Sequence, residues 1–167
     1  MLNLSFLDKL NDDQKKWMTL AIAGMVVADG IIDKRELSDL GVVLSHLGNI
    51  EKAQKLMGML KAKQIPRLPR IKIDDRGLAV QMLLAVTKVG IVDNSLSAKE
   101  ADYLIYLGAI LHFPKDYTQS ILKWAKQQAE ISRLQMEIVK KGMNIDVEDY
   151  ELIGDYSMKV NVQQFEF

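Results

Sequence analysis

Apolar residues recur at intervals of three and four along most of the chain, the spacing that aligns them on one face of an α-helix. This periodicity predicts helices over residues 11–28, 34–47, 49–62, 75–92, 98–111 and 114–142. Pro66 and Pro69 remove backbone donors and disfavour helix, so residues 63–74 are predicted to connect the third helix to the fourth. The sequence therefore predicts an all-α helical bundle.

The C-terminal segment, residues 143–167, follows a different pattern. Apolar and polar residues alternate over 158–162, a period of two that predicts a short strand. An isolated strand is marginal in water, and a similar alternation over 71–73 makes that segment its predicted partner. We expect two parts, a helical domain over 1–142 and an acidic extension over 143–167 that has six acids and one lysine.

Charge and composition argue against several classes of function. Lysine plus arginine and aspartate plus glutamate balance at 22 each, so no overall field favours nucleic acid. The segment Lys61–Lys72 is locally basic, but it has no aromatic residue to stack on bases. The absence of cysteine removes disulfides, thiolate nucleophiles and cysteine-based zinc sites, and it fits a reducing compartment. We therefore expect no nucleic-acid partner.

The sequence contains neither a recognisable export signal nor a membrane span. The first ten residues include Asp8 and Lys9 and lack the cationic start and apolar run of a signal peptide. The longest largely apolar stretch, Met18–Ala28, has eleven residues. A helix needs about 20 to cross a bilayer. We expect a cytoplasmic protein that does not insert directly into a membrane.

An internal repeat relates the two halves of the helical region, since a shift of 64 residues aligns them. The aligned pairs include Leu20 with Leu84, Asp29 with Asp93, Glu36 with Glu100 and Leu40 with Leu104. The match preserves the apolar face of the outgoing helix in each half. The repeat predicts two helix-loop-helix halves that are related by a pseudo-twofold axis.

Acidic residues concentrate in the loop of each half, over 28–36 and 92–100, and we call these two loops the acidic corners. One interpretation of them is structural. Ser97 and Glu100 have the spacing of a capping box, and the equivalent positions of the first corner share it. In this interpretation the acids only stabilise helix ends.

The other interpretation is that carboxylates of both corners converge on a divalent cation, Ca²⁺ or Mg²⁺, because these ions prefer oxygen ligands. The candidate ligands are Asp29, Asp33, Glu36, Asp93 and Glu100. The spacing is not that of an EF-hand, whose loop has about twelve residues, since 29–36 covers only eight. One corner alone cannot fill a calcium shell, so a weak, shared or partly hydrated site is expected.

The two corners also carry a family resemblance. Residues 28–36 read ADGIIDKRE and residues 92–100 read VDNSLSAKE, and the pair resembles the signature of the TerB tellurite-resistance family over about 14–128. The resemblance implies an all-helical, non-enzymatic module of bacterial stress responses, including the response to tellurite. It also implies divalent-cation binding at these corners and docking on partners such as TerC-type membrane proteins. Asn94 and Ser97 depart from the family pattern, which has glycine and a second acid there.

Candidate catalytic groups are missing from the pattern. His46 and His112 occupy different positions in the repeat, and no nucleophile is placed beside either one. Gly24, Gly41, Gly90 and Gly108 lie inside predicted helices, which indicates close helix packing rather than a phosphate-binding loop. We therefore expect a non-enzymatic, partner-binding module. The alternative is a purely structural homodimerising domain whose corner acids only cap helices.

Overall fold

The computed structural model of the protein describes residues 6–30, 41, 50–64 and 67–144. A 3₁₀ turn over Leu7–Lys9 precedes the helices. The helices are α1 (Asp12–Val27), α2 (Ile50–Lys61), α3 (Arg76–Gly90), α4 (Ala98–Ile110) and α5 (Lys115–Met143). These residues include no strand, and the predicted all-α fold is confirmed. Apart from residue 41, the helix predicted over 34–47 lies outside the described residues, and so does the strand predicted over 158–162.

The chain divides by its own contacts into two compact units, Met1–Leu134 and Gln135–Phe167. The sequence predicted a division after residue 142, at the end of the last helix. That boundary remains a prediction. None of the helices that the structure describes combines the length and apolar character needed to cross a membrane.

Polar side chains cap the starts of the helices α1 and α3. Asn11 accepts a hydrogen bond from Gln14 N at 2.9 Å, and the Gln14 side chain accepts one from Asn11 N at 3.0 Å. This reciprocal pair is a capping box, and it satisfies two helix-end donors. Asp75 caps α3 by accepting from Leu78 N at 3.0 Å. Asn11 and Asp75 are 64 residues apart, so the repeat extends to the helix caps.

Helix α1 lies at the centre of the first unit. From Trp17 to Val27 every residue of it is buried except the half-buried Leu20. A helix that is apolar on all sides must be surrounded by others, and α1 packs against α2, α3 and α4. Its buried Thr19 hydroxyl is satisfied within the helix, donating to Lys15 O at 2.9 Å. The core therefore forms around α1.

Close helix packing at glycine, which the sequence predicted, is present at Gly90 and Gly108 but not at Gly41, which is exposed and would have no described atom within 4 Å of a Cβ. A Cβ at Gly90 would lie 2.8 Å from Met25 Sδ, where α3 crosses α1. A Cβ at Gly108 would lie 3.0 Å from Thr118 Cγ2, where α4 meets the start of α5. The distance at Gly90 is too short for a real Cβ, and a Cβ at Gly108 would also overlap Thr118 Oγ1, so these two glycines permit the approach of their neighbours.

The basic segment after α2 is anchored by apolar side chains. Leu68 and Ile73 are buried, whereas Arg67, Arg70 and Lys72 are exposed. Lys72 pairs with Asp74 at 2.9 Å, but both side chains are more than 80% exposed, so the pair adds little stability. Residues 71–73 are not in a strand. Their predicted pairing with 158–162 remains a prediction.

Arg76 joins the start of α3 to the end of α4. Its guanidinium donates to Leu111 O at 2.8 Å and to His112 O at 3.5 Å, and it lies 4.1 Å from the centre of the Phe113 ring. Phe113 in turn stacks on Tyr117 with ring centroids 4.9 Å apart. Helix C-termini present carbonyls without partners, and a cation there satisfies them and interacts favourably with the helix dipole.

Replacing Arg76 with alanine is expected to lower the free energy of unfolding by about 1–2 kcal/mol, because a charged hydrogen bond and a cation–π contact are lost at a solvent-exposed site. Arg76→Lys keeps the charge but loses the planar fork, and it should recover less than half of that loss. Urea unfolding followed by circular dichroism measures both variants. Full recovery by lysine would mean that charge alone matters at this position.

Candidate functional site at the acidic corners

The described start of the first acidic corner, residues 28–30, has the same backbone as residues 92–94 of the second. Each has two short turns, and corresponding hydrogen bonds lie 64 residues apart. These bonds are Ala28 N to Met25 O at 3.1 Å, Val92 N to Val89 O at 3.2 Å, Gly30 N to Val27 O at 3.1 Å, and Asn94 N to Ile91 O at 3.0 Å. The internal repeat therefore holds for the described backbone as well as for the sequence. The pseudo-twofold axis itself remains a prediction.

One position in each corner adopts a left-handed backbone. Gly30 has φ +83° and Asn94 has φ +67°. Glycine adopts this conformation without steric cost, and asparagine tolerates it better than most residues. The sequence comparison treated Asn94 as a departure from the TerB pattern. Asn94 nevertheless adopts the same left-handed backbone conformation as Gly30.

Asp93 begins the second corner with local contacts. Its Oδ1 accepts from Ser95 N at 2.9 Å, and its two oxygens accept from Ser95 Oγ at 2.9 and 2.8 Å. A side chain that accepts from the backbone two residues on closes an Asx turn. Asp93 is otherwise exposed, whereas Asp29, its counterpart in the first corner, is half-buried.

Glu100 is the buried acid of the site, with 5% of its surface exposed. Its Oε2 accepts from Ser97 N at 2.7 Å, and Ser97 Oγ accepts from Glu100 N at 3.2 Å. These contacts confirm the capping box that the sequence predicted at the start of α4. Glu100 therefore stabilises a helix end, whereas the interpretation that the acids do nothing else remains a prediction.

The electrostatics of Glu100 depend on both corners. Burial raises the pKa of its carboxyl, and the hydrogen bonds with Ser97 partly oppose that rise. The negative charges of Asp29 and Asp93 raise the same pKa further. Carboxylates from the first and the second corner are thus close enough to act on one buried acid.

Of the five predicted cation ligands, the structure brings Asp29, Asp93 and Glu100 into one electrostatic neighbourhood. Asp33 and Glu36 lie outside the described residues. Within the described ranges, no three acidic or histidine side chains are grouped as metal ligands would be. A physical reason is visible at Asp93 and Glu100, whose oxygens already accept hydrogen bonds from Ser95 and Ser97.

Sequence reasoning missed the contact between Tyr103 and Gly24. Tyr103 lies on α4, one helix turn beyond Glu100. The Tyr103 ring is buried over Gly24 of α1, and its hydroxyl has no hydrogen-bond partner in the described part of the chain. Burial, with a smaller contribution from Tyr106, raises the pKa of Tyr103. The sequence indicated close helix packing at Gly24, because this glycine lies inside a predicted helix. It did not indicate that Tyr103 is the residue packed there.

Comparison with known proteins adds no relative. No family model matches the chain, and neither a curated protein nor a solved structure matches it. The TerB resemblance therefore depends on the two corner motifs alone.

The pKa of Glu100 predicts how stability depends on pH. Because this pKa is raised on folding, the folded state holds more protons than the unfolded state at pH values above the ordinary 4.5. Stability contributed by this group is therefore lost as pH rises through that window. Glu100→Gln removes the titration and keeps an oxygen that can accept from Ser97 N, as Gln14 does at the start of α1.

We expect the free energy of unfolding of Glu100→Gln, relative to that of the wild type, to increase as the pH rises above the ordinary carboxyl pKa of 4.5. Urea unfolding at several pH values measures the difference between the two proteins. Glu137→Gln provides the same substitution at an exposed position of α5. A difference between wild type and Glu100→Gln that is constant with pH would contradict the prediction.

Proposed function

We propose that the chain is a non-enzymatic, TerB-like stress-response module that binds partner proteins, with a divalent cation at its acidic corners modulating that binding. The observation that supports the proposal is that the negative charges of Asp29 and Asp93, one from each corner, both raise the pKa of the buried Glu100 carboxyl. Oxygen-rich, negatively charged sites suit hard cations such as Ca²⁺ and Mg²⁺. A bound cation would relieve the repulsion that raises the pKa of Glu100.

The cation hypothesis also assigns a role to the remaining acids. Asp33 and Glu36 belong to the first corner by sequence, and they would supply the oxygens needed to complete a shell. Binding would compete with the hydrogen bonds that Asp93 and Glu100 accept from Ser95 and Ser97. That competition predicts a weak site, filled at millimolar rather than nanomolar metal.

NMR titration with Ca²⁺ and Mg²⁺ tests the cation part. We expect saturable shifts of the amides of both corners, and we expect Asp29→Asn to weaken the fitted affinity by about tenfold, as loss of a charged ligand should. Asp13→Asn is the matched control, since it removes the same charge at the other end of α1. Equal titrations of the two variants would reject the cation site.

Protein binding is the second part of the proposal. The resemblance implies a TerC-type membrane protein as the partner class. In the first unit, Ile131 and Leu134 expose 56% and 47% of their surface, which supports contact with a protein. Biolayer interferometry on a purified TerC-type protein, with and without Ca²⁺, tests the partner class. Absence of binding in both conditions would reject this partner without affecting the metal titration.

A purely structural homodimer is the competing candidate. The capping box at Glu100 and the Asx turn at Asp93 favour it, because both acids have a sufficient local role. In this case analytical ultracentrifugation should give a dimer mass that does not change with Ca²⁺, and the metal titration should show no saturation. A monomer at all concentrations would reject it.

A further inference from the structure

The end of α2 and the connection to α3 carry a concentration of positive charge. Between residues 61 and 72 there is no acid, and the five basic residues, all exposed, are Lys61, Lys63, Arg67, Arg70 and Lys72. Lys72 is paired with Asp74 at 2.9 Å. The other four, which we call the basic patch, form no ion pair or side-chain hydrogen bond with the residues that the structure describes. Because the whole chain is neutral, this charge is local.

Apolar anchors hold part of the basic patch at the surface of the first unit. Leu68 and Ile73 belong to the core of that unit, and Ile71 packs against it. Two of the cations are the neighbours of these anchors in sequence, since Arg67 precedes Leu68 and Arg70 precedes Ile71. Folding of the core therefore fixes where these two charges are displayed, although neither side chain is held by a polar contact of its own.

Lys63 occupies a backbone position that favours glycine. Its φ is +51°, and its N–H donates to Leu60 O at 2.8 Å. The next N–H, that of Gln64, donates to Met59 O at 3.0 Å. This pair of hydrogen bonds is the Schellman turn that ends many helices, and its left-handed position is usually glycine. Lysine is less stable there, and strain of this kind is a reason to look for a function of the side chain.

The chemistry of the basic patch favours an anionic membrane surface as its partner. No aromatic residue occurs over residues 61–75, so none is available there to stack on a nucleic-acid base. A folded acidic protein presents fixed carboxylates, and fixed charges are recognised best by cations that their own contacts hold in place. The patch instead has long side chains without such contacts. Lipid head groups move laterally, so they can arrange themselves around cations of this kind.

Four cations are sufficient for weak and reversible attachment. Each lysine or arginine near an anionic membrane surface raises the affinity by about fivefold, so four raise it by roughly several hundredfold. The attraction extends about 10 Å at 0.1 M salt, which limits it to residues at the contact.

We propose that the basic patch attaches the first unit to an anionic membrane surface, by binding phosphate-bearing head groups without insertion into the bilayer. The attachment requires neither a cation at the acidic corners nor a partner protein. It depends on the charge of the four side chains and on their display at the end of α2 and in the following connection.

Vesicle co-sedimentation of the full chain tests the proposal. We expect binding to vesicles of phosphatidylcholine mixed with phosphatidylglycerol, no binding to phosphatidylcholine alone, and release as salt is raised. Arg67→Gln together with Arg70→Gln should weaken the binding by about 25-fold, because two charges are lost. Lys123→Gln together with Lys126→Gln removes the same charge from exposed positions of α5, and it should leave the affinity nearly unchanged. Equal weakening by the two double variants would overturn the proposal.

Lys63→Gly separates a loss of binding from a loss of folding. Glycine removes one cation and relieves the left-handed strain, so this variant should unfold at a higher urea concentration while its affinity for the anionic vesicles falls by about fivefold. An unchanged affinity would contradict the proposal.

Competing anions identify other partners. A DNA oligonucleotide or polyglutamate that binds more tightly than the anionic vesicles at the same salt concentration would assign the basic patch to a nucleic acid or an acidic protein. Release from the vesicles by inorganic phosphate, at an ionic strength where chloride has no effect, would indicate a discrete phosphate site. Each of these results would overturn the proposal.

Discussion

Gly24→Ala is expected to destabilise the protein by about 2–3 kcal/mol, although alanine is the better helix former. A Cβ at Gly24 would overlap the Tyr103 hydroxyl and the ring carbon that bears it, and it would lie 3.1 Å from Tyr103 Cε1. Tyr103 is only 7% exposed, so its ring cannot move aside into solvent. The overlap must be relieved by shifting α4 relative to α1, which disturbs the packed core.

The same substitution at Gly58 provides the control. Gly58 lies inside α2, is exposed, and would have nothing within 4 Å of its new Cβ. Gly58→Ala should stabilise the protein by about 0.5–1 kcal/mol, because alanine loses less backbone entropy on folding than glycine does. Urea unfolding of both variants should therefore give changes of opposite sign. A stabilising Gly24→Ala would show that Tyr103 does not pack over this position.

A double variant locates the cause of the effect. In a Tyr103→Leu background the aromatic ring is absent, so adding Gly24→Ala should cost less than it does in the wild type. The difference is the coupling energy between the two positions, and contacting residues show couplings of about 0.5–3 kcal/mol. Additive effects would assign the loss to some other contact of Gly24.

The helices could be predicted from sequence because the signals that define them are local. Asn11 and Asp75 cap the helices that follow them, and the three- and four-residue spacing gives their buried faces. The end of α3 was predicted at Val92 but falls at Gly90. Gly90 admits Met25 of α1 at close range, a contact between residues distant in sequence. Local periodicity carries no information about such a contact.

In the acidic corners, too, local features could be predicted from the sequence and contacts between distant residues could not. The capping box of Ser97 and Glu100 depends on residues three apart, so its spacing was sufficient to predict it. The burial of Glu100 and its interaction with Asp29 depend on how α1 meets α4, and the sequence repeat only suggested that the corners approach each other. The Tyr103 contact with Gly24 belongs to that same helix crossing. The sequence therefore did not predict how α1 and α4 cross, or which residues meet at that crossing.

Trp17→Ala is expected to have the largest effect of a single substitution, a loss of about 3–5 kcal/mol in the free energy of unfolding. Trp17 is fully buried in α1, the helix around which the core of the first unit is built. Removing the indole deletes a large apolar area and leaves a cavity that the neighbouring helices can only partly fill. A loss of this size approaches the whole stability of a typical domain.

Trp17→Phe separates packing from hydrogen bonding at the same site. Trp17 Nε1 is buried and has no hydrogen-bond partner in the described part of the chain, and such a group costs about 1–3 kcal/mol. Phenylalanine leaves a smaller cavity than alanine and removes this cost, so Trp17→Phe should be at least about 2 kcal/mol more stable than Trp17→Ala. Thermal and urea unfolding of the pair measure the difference. Equal losses would mean that the indole N–H is satisfied in solution, by water or by residues outside those described, and that its hydrogen bond contributes as much as the ring.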